Sequence, residues 1–236
     1  MIYDKKEYVF PRCINIRYER EIEQIKNLNR LCAYPSMPSF KYKDDNTLVI
    51  LDSGAFGLSQ LNKKMNKDYF IALSKYYQKH SKAHKRMLFI APDVFKNPFE
   101  TMRNLKIWRG LNLFENITPV LQNSQMKIID KDELKYQIDF YTKLNYKTLA
   151  YSIYSADGML HKQQNIEEIF FYAREKGVEY IHCLGAGWSL EDIAIWQSID
   201  GFNSFDSIAY YTTRNIDEFG SLNPIENIKN ILSLFK

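Results

Sequence analysis

The segment TLVILDSGAFG, residues 47–57, decides the fold class of this chain. Its first half is an apolar run rich in β-branched residues, which predicts a strand that is covered on both faces. This strand ends on an acid, Asp52. The same pattern recurs in MLFIAPDVF, which contains Asp93, and in FNSFDSIAY, which contains Asp206. Because parallel α/β barrels collect catalytic side chains at the C-terminal ends of their strands, the three aspartates predict one carboxylate-rich site.

Apolar runs alternate with amphipathic stretches along the rest of the chain. We predict strands at Cys13–Ile16, Leu31–Tyr34, Leu48–Leu51, Met87–Ala91, Ile117–Leu121, Thr148–Ile153, Tyr180–Leu184 and Ser204–Ala209. We predict helices at Lys67–His80, Pro98–Leu111, Lys131–Leu144, Ile166–Lys176, Leu190–Ser198 and Pro224–Phe235. Repeated strand–helix units predict parallel strands joined by crossover helices. The predicted fold class is therefore α/β, a compact (β/α)8 barrel of the TIM type, and a doubly wound sheet is the alternative.

The composition is that of a soluble globular protein. The 236 residues, of which 45% are hydrophobic and 25% charged, suit a single domain that spans residues 1–236. No apolar run approaches the ~20 residues that cross a bilayer, and the N-terminus has no signal-peptide pattern, so we expect a cytoplasmic protein without a membrane partner. The three cysteines are widely spaced and give no zinc framework, so we expect no metal site and no cofactor.

The residues that follow Asp52 are candidates for a binding site. Ser53, Gly54 and Phe56 come directly after the strand, and Gly54 would let the backbone approach a ligand closely. An Asx turn or a helix cap made by Asp52 or Ser53 explains the segment equally well.

The other two aspartates are harder to explain by local structure. Asn97 lies where a cap for the next helix is needed, which leaves Asp93 free for another role. Asp206 lies amid apolar residues, where an acid is costly to bury unless it is paired or functional. We therefore predict that both are site residues.

Two further strand ends carry weaker signals. Gln122 in PVLQNS offers a donor and an acceptor that suit a base edge, although a surface turn explains it as well. Gly185 and Gly187 in HCLGAGW would present backbone N–H groups to a phosphate or a ribose, or they form a tight turn before the next helix. The histidines show no metal-ligand or triad pattern.

The net charge of +4 permits an anionic partner without demanding one. Basic residues near the first two motifs would line a groove for a nucleic-acid backbone, or they form a solvated helix face. These residues are Lys63, Lys64, Lys67, Lys82, Lys85 and Arg86.

Taken together, the motifs resemble the tRNA-guanine transglycosylase superfamily, which includes tRNA enzymes and the proteins that put 7-deazaguanines into DNA. LDSGAFG is similar to the family segment D-S-G-G-F-Q, and APDVF to its second aspartate strand. PVLQ resembles its V-Q-G strand, HCLGAG its glycine loop, and SFDSIAYYTTR its F-D-x-x-x-P-T-R segment. The order of the motifs along the chain is also that of the family.

The resemblance implies a base exchange on nucleic acid. Asp206 matches the nucleophile, which attacks the anomeric carbon of a guanosine and forms a covalent glycosyl-enzyme. Asp52 matches the acid/base residue, which protonates the departing guanine and later deprotonates the incoming 7-deazaguanine. Asp93 and Gln122 match residues that read the guanine edge. The backbone around residues 151–155 and 185–187 would complete the pocket.

One departure from the family bears on the polymer. The tRNA enzymes carry a zinc-binding subdomain after the last motif, and we expect this barrel to lack it. The resemblance therefore favours DNA over tRNA, as in the DNA 7-deazaguanine transglycosylases of phages and of bacterial or archaeal modification systems. Other proteins of such a system would be partners, and the oligomeric state stays open.

Two other functions fit the same residues. One is a nucleoside or nucleotide N-glycosidase, or a deoxyribosyltransferase, that acts on small molecules. The other is a non-catalytic nucleic-acid-binding barrel, although a protein that only binds polyanions has no need to collect three carboxylates.

Overall fold

A computed structural model describes residues 6–11, 16–22, 24–25, 28–35, 46–124, 129–152, 163–187, 189–207, 209–212, 220 and 222–235. Strands and helices alternate through these residues. The strands are β1 (Glu7–Pro11), β2 (Arg30–Ala33), β3 (Val49–Asp52), β4 (Met87–Phe89), β5 (Val120–Leu121), β6 (Thr148–Ser152), β7 (Tyr180–Leu184) and β8 (Ser204–Asp206). The helices are α1 (Ile16–Ile22), α2 (Ala55–Gln60), α3 (Lys67–His80), α4 (Pro98–Gly110), α5 (Lys131–Lys143), α6 (Gln163–Glu175), α7 (Leu190–Ser198), α8 (Ala209–Thr212) and α9 (Pro224–Leu234).

The described strands form one curled sheet in which every pairing is parallel. The strand order is β4-β3-β2-β1-β8-β7-β6-β5, so each strand lies beside a neighbour in sequence and β1 pairs with β8. A doubly wound sheet has a different order, with a switch point between two halves that wind in opposite directions. The α/β class with parallel strands is confirmed, and the doubly wound alternative is wrong.

The two outer strands of this order approach each other just beyond their ends. Ile90, after β4, forms an isolated parallel bridge with Thr118, before β5. The Ala91 N–H donates to the Thr118 carbonyl at 2.9 Å, and the Thr118 N–H donates to the Phe89 carbonyl at 2.7 Å. These bonds join the two outer strands of the sheet order at this point.

Two layers of apolar side chains stabilise the sheet. The period-2 alternation of each strand points one set inward, where Val9, Ile50, Val120 and Ala150 pack together. The opposite set packs against the helices and forms the larger core. Asp52 shares the inner face with Ile50, so the same alternation that builds the interior also aims the carboxylate. Among the described residues, no helix is both long enough and apolar enough to cross a membrane.

The first strand of the sheet lies earlier in the chain than the predicted strand. We predict a strand at Cys13–Ile16, but Ile16 begins α1 and residues 13–15 lie outside the described residues. The strand is Glu7–Pro11, of which all but the first residue are buried. An acid begins this strand and a proline ends it, so the apolar run between them is too short to be recognised as a strand from the sequence. Pro11 is tolerated because it is the last residue of the strand, where its missing N–H interrupts no further pairing.

The other predicted strands and helices are confirmed, with shifts at some ends. The predicted strand Ser204–Ala209 stops at Asp206, and Ala209 begins α8. The predicted Asn97 cap is present, with its side chain accepting from the Glu100 N–H at 3.0 Å. Helices α1, α2 and α8 are not predicted.

Candidate active site

The three aspartates lie at one end of the parallel sheet. Asp52 is the last residue of β3, Asp206 is the last residue of β8, and Asp93 follows β4. Because all the strands run in the same direction, these positions share the C-terminal edge. The groups are close enough to influence one another electrostatically, since Asp206 and Asp93 each interact with Asp52.

Asp52 is a carboxyl group with a raised pKa. Burial raises the pKa of Asp52 to about 6, and the negative charge of Asp206 acts in the same direction. The Gly54 N–H donates to Asp52 Oδ2 at 3.0 Å, which stabilises the ionised form and limits the increase. A carboxyl group in this range can hold and release a proton near neutral pH.

Asp93 is buried and is held by the neighbouring strand end. Burial raises the pKa of Asp93 to about 7, and the charge of Asp52 adds to this increase. The Ser53 hydroxyl donates to Asp93 Oδ1 at 2.8 Å. The Tyr69 hydroxyl, from α3, donates to the Ser53 carbonyl at 2.7 Å, so a helix fixes the turn that carries Ser53.

Asp206 is held differently, by N–H groups from the glycine loop and by a histidine. The Gly185 N–H donates to Asp206 Oδ1 at 3.2 Å, and the Ala186 N–H donates to the Asp206 backbone carbonyl at 2.7 Å. His182 Nε2 lies 3.1 Å from the same Oδ1. The loop predicted to hold a phosphate or ribose therefore holds the aspartate in this structure.

His182 was not predicted as a site residue. It is fully buried in the middle of β7, and its Nδ1 lies 2.7 Å from Ser204 Oγ. The Tyr180 hydroxyl donates to the same Ser204 oxygen at 2.9 Å. A signal was present, because Tyr180 and His182 alternate on one strand as Ser204 and Asp206 do on the next. Polar residues with period 2 in a buried strand indicate a polar inner face.

Gln122 lies at the end of β5, as predicted, but its side chain is already engaged. Its Oε1 accepts from the Lys96 N–H at 2.9 Å, and its Nε2 donates to Thr101 Oγ1 at 2.6 Å. That Thr101 oxygen also accepts from the Val94 N–H at 2.8 Å. In this structure the Gln122 side chain stabilises the loop that follows Asp93. To bind a base edge, it would have to give up its hydrogen bonds to Lys96 and Thr101.

The predicted glycines serve close backbone contacts. Gly54 has φ +79°, and a β-carbon there would lie 2.2 Å from the Tyr34 carbonyl oxygen. Gly187 has φ +134°, and a β-carbon there would lie 2.3 Å from Asp192 Cβ. Neither position can carry a side chain without movement of its surroundings. Of the predicted pocket backbone at residues 151–155, positions 153–155 lie outside the described residues.

A cavity of about 250 Å³ opens beside Asp93, between α2 and the loop before α4. Lys63 and Lys64 line it together with Asp93 and Phe95. Phe56, from α2, is 49% exposed and its ring contacts Phe95 edge-on, with centroids 5.5 Å apart. Aromatic and cationic side chains thus border Asp93 on this side.

A larger cavity, of about 510 Å³, lies at the opposite end of the sheet. It is lined by Lys147 and Thr148 at the start of β6 and by the residues that follow α4 and α5. This cavity contains none of the three aspartates, so we place the candidate site at the C-terminal edge of the sheet, where the three carboxylates lie. Within the described part of the chain, no group of three or more His, Cys, Asp or Glu side chains has the arrangement of a metal site.

Comparison of the sequence with protein-family models and with curated proteins gives no match.

Proposed function

We propose that this protein is a transglycosylase that replaces guanine in nucleic acid with a 7-deazaguanine, through a covalent intermediate on Asp206. The observation that carries the proposal is the contrast between two carboxylates at one sheet end. Asp206 accepts two hydrogen bonds on one oxygen, and burial raises the pKa of Asp52 to about 6. Two displacements at one sugar carbon need such a pair, one group to attack and one to move protons.

The first displacement uses both groups. An Asp206 oxygen forms a bond to the anomeric carbon while the bond from that carbon to the guanine nitrogen breaks. The electron pair of the broken bond goes to the base, and protonated Asp52 donates its proton to the departing guanine. The products are free guanine, a glycosyl ester on Asp206 and an Asp52 carboxylate.

The second displacement reverses the roles. The Asp52 carboxylate removes a proton from the ring nitrogen of the incoming 7-deazaguanine, and this nitrogen attacks the anomeric carbon. The ester bond breaks, and its electron pair returns to Asp206. Two inversions retain the configuration of the sugar.

Asp93 is the proposed recognition group for the base. Guanine presents N–H donors on its Watson–Crick edge, and a carboxylate accepts them through charge-assisted hydrogen bonds. Ser53 holds Asp93 Oδ1, which orients the carboxyl group before a base arrives. Phe56 and the cavity beside Asp93 offer space and an aromatic ring for a neighbouring nucleotide.

The proposal extends to the closure of the sheet. We infer that the curled sheet closes into a (β/α)8 barrel, supported by the bridge between Ile90 and Thr118. The preference for DNA over tRNA, and for partner proteins of a modification system, rests on the sequence resemblance. Lys63 and Lys64 beside the site suit either polymer.

The test is trapping of a covalent adduct. The protein is incubated with guanine-containing DNA, with RNA and with guanosine, and the products are denatured and analysed by mass. We expect an adduct with DNA that Asp206→Asn and Asp206→Ala both abolish. The matched control is Asp200→Asn, because Asp200 follows α7 and its side chain is 76% exposed.

Other outcomes would replace the proposal. An adduct that persists in Asp206→Ala means that another residue attacks. Reaction with guanosine alone indicates a small-molecule glycosidase or deoxyribosyltransferase. Binding of the polymer without any adduct indicates a non-catalytic binding protein.

A further inference from the structure

A chain of buried hydrogen bonds leads from the start of β7 to the proposed nucleophile. Tyr180 contacts Ser204, Ser204 contacts His182, and His182 contacts Asp206, over distances of 2.9, 2.7 and 3.1 Å. Ser204 and His182 have no exposed surface. Since buried polar groups are costly unless they are satisfied, such a chain has a defined arrangement of protons.

The donors and acceptors set the direction of these hydrogen bonds. The Tyr180 hydroxyl donates to Ser204 Oγ, so the single Ser204 proton is available for His182 Nδ1. A neutral imidazole that accepts at Nδ1 carries its proton on Nε2. That proton then points at Asp206 Oδ1, which accepts it.

Glu7 is the group that could reverse the direction, because its carboxylate lies within hydrogen-bonding reach of the Tyr180 hydroxyl and helps to raise the pKa of that hydroxyl. Both of its oxygens are already engaged by Arg86. Arg86 Nη1 donates to Oε1 at 3.0 Å and Nη2 donates to Oε2 at 2.6 Å. Because Arg86 already binds both oxygens of the Glu7 carboxylate, the Tyr180 hydroxyl gains less by donating to Glu7. This favours the hydrogen bond from Tyr180 to Ser204 Oγ.

The two oxygens of Asp206 are unequal. Within the described residues, the hydrogen bonds to its carboxylate, from Gly185 N–H and from His182, both go to Oδ1. Oδ2 is left for a reacting carbon.

We propose that His182 is a positioning residue, locked as the Nε2–H tautomer by Ser204 and Tyr180, that fixes Asp206 so that Oδ2 is the attacking oxygen. This inference deepens the proposed function and rests on it for the identity of the reaction. In the glycosyl ester, Oδ2 carries the sugar, and Oδ1 is the carbonyl oxygen that keeps both donors. When the ester bond breaks, these donors stabilise the charge that returns to the carboxylate.

The tautomer can be tested without any substrate. Two-bond ¹H–¹⁵N correlation spectra of the ¹⁵N-histidine-labelled full chain distinguish the two neutral forms and the cation. The His182 signals are identified by their absence in His182→Gln. We expect the Nε2–H form in the wild type and a mixture of tautomers in Ser204→Ala. An Nδ1–H form or an imidazolium at neutral pH would overturn the assignment.

The positioning role is tested with a conservative pair of variants. Glutamine at position 182 supplies an N–H donor for Asp206 and an oxygen for Ser204, whereas leucine fills space and supplies neither. We expect His182→Leu to lower the rate of adduct formation by about 10²-fold with little change in KM for DNA, and His182→Gln to stay within about tenfold of the wild type. Equal losses in both variants would mean that His182 only packs.

Failure of the inference is separable from failure of the proposed function. If the wild type forms no adduct, the base exchange is wrong, while the spectra still decide the tautomer. If the adduct forms and the Nδ1–H tautomer is found, only the positioning role fails. Circular dichroism identifies a His182→Leu variant that does not fold, in which case His182→Gln and the spectra carry the test.

Discussion

Asp52 and Asp93 bind protons more tightly in the folded protein than an ordinary surface acid does. Burial raises the pKa of Asp52 to about 6 and that of Asp93 to about 7. The charge of Asp206 adds to the increase at Asp52, and the charge of Asp52 adds to the increase at Asp93. Because the unfolded chain has the lower pKa, the stability that these groups contribute is fully present only below about pH 4. It is lost as the pH rises through 6 and 7.

We therefore predict that replacing Asp93 by asparagine flattens the pH dependence of stability. Asparagine is neutral at every pH and still offers an oxygen to the Ser53 hydroxyl. Asp93→Asn should raise the free energy of unfolding at pH 8 by on the order of 2 kcal/mol, raise it by less at pH 5, and change it little below pH 4. Urea denaturation of both proteins between pH 5 and 8 measures this. A wild-type stability that increases across this range would contradict the raised pKa values.

The sequence predicted where the acids stand but not what holds them. A strand that ends on an acid is visible in a linear pattern, and so Asp52, Asp93 and Asp206 were found. The partners depend on the register between strands, which pairs His182 with Ser204 and Val9 with Asp206. The alternation of Tyr180 and His182 indicates a polar inner face, but register is set by packing of the whole sheet, so the sequence could not show that His182 faces Asp206.

Helix α2 and the turn that leads into it from β3 also could not be predicted from the sequence. Helix α2 has six residues and contains Gly57, and the segment before it contains Gly54, so its helix propensity is low and no helix was predicted. The helix forms because Gly54 takes a left-handed conformation against the Tyr34 backbone and turns the chain into it. The longer helices α3 and α7 were predicted with their observed bounds.

The two glycines of this turn make a matched pair of variants. At Gly54 a β-carbon would lie 2.2 Å from the Tyr34 carbonyl oxygen, whereas at Gly57 it would meet no atom within 4 Å. We predict that Gly54→Ala lowers the free energy of unfolding by at least about 2 kcal/mol, from backbone strain and the clash. Gly57→Ala should raise it by about 0.5–1 kcal/mol through helix propensity. Urea denaturation measures both, and similar stabilities for the two variants would show that the turn tolerates a side chain.

At the scale of the whole molecule, the sheet separates residues that are neighbours in sequence. Lys63 and Lys64 line the cavity beside Asp93, at the C-terminal end of the strands. Lys82 and Lys85 precede β4, and Arg86 pairs with Glu7 at the start of β1, at the other end. The sequence predicted repeated strand–helix units correctly. Helix α3, which was predicted with its observed bounds, carries the chain from one end of the sheet to the other, so these basic residues do not form the single groove that their closeness in sequence suggested.

This separation supplies a test of where a polymer binds. If nucleic acid lies across the carboxylate end, the double variant Lys63→Gln/Lys64→Gln loses phosphate contacts. The double variant Lys82→Gln/Lys85→Gln keeps those contacts. It is a matched control, because each double variant removes two exposed positive charges. We predict that only the first weakens binding of single-stranded DNA and reduces the slope of log K against log salt by about 1 to 2. Fluorescence anisotropy over a range of salt concentrations measures both quantities. Equal losses in the two variants would indicate an attraction that depends on net charge alone, and a loss confined to the second would place the polymer at the opposite end from Asp52 and Asp206.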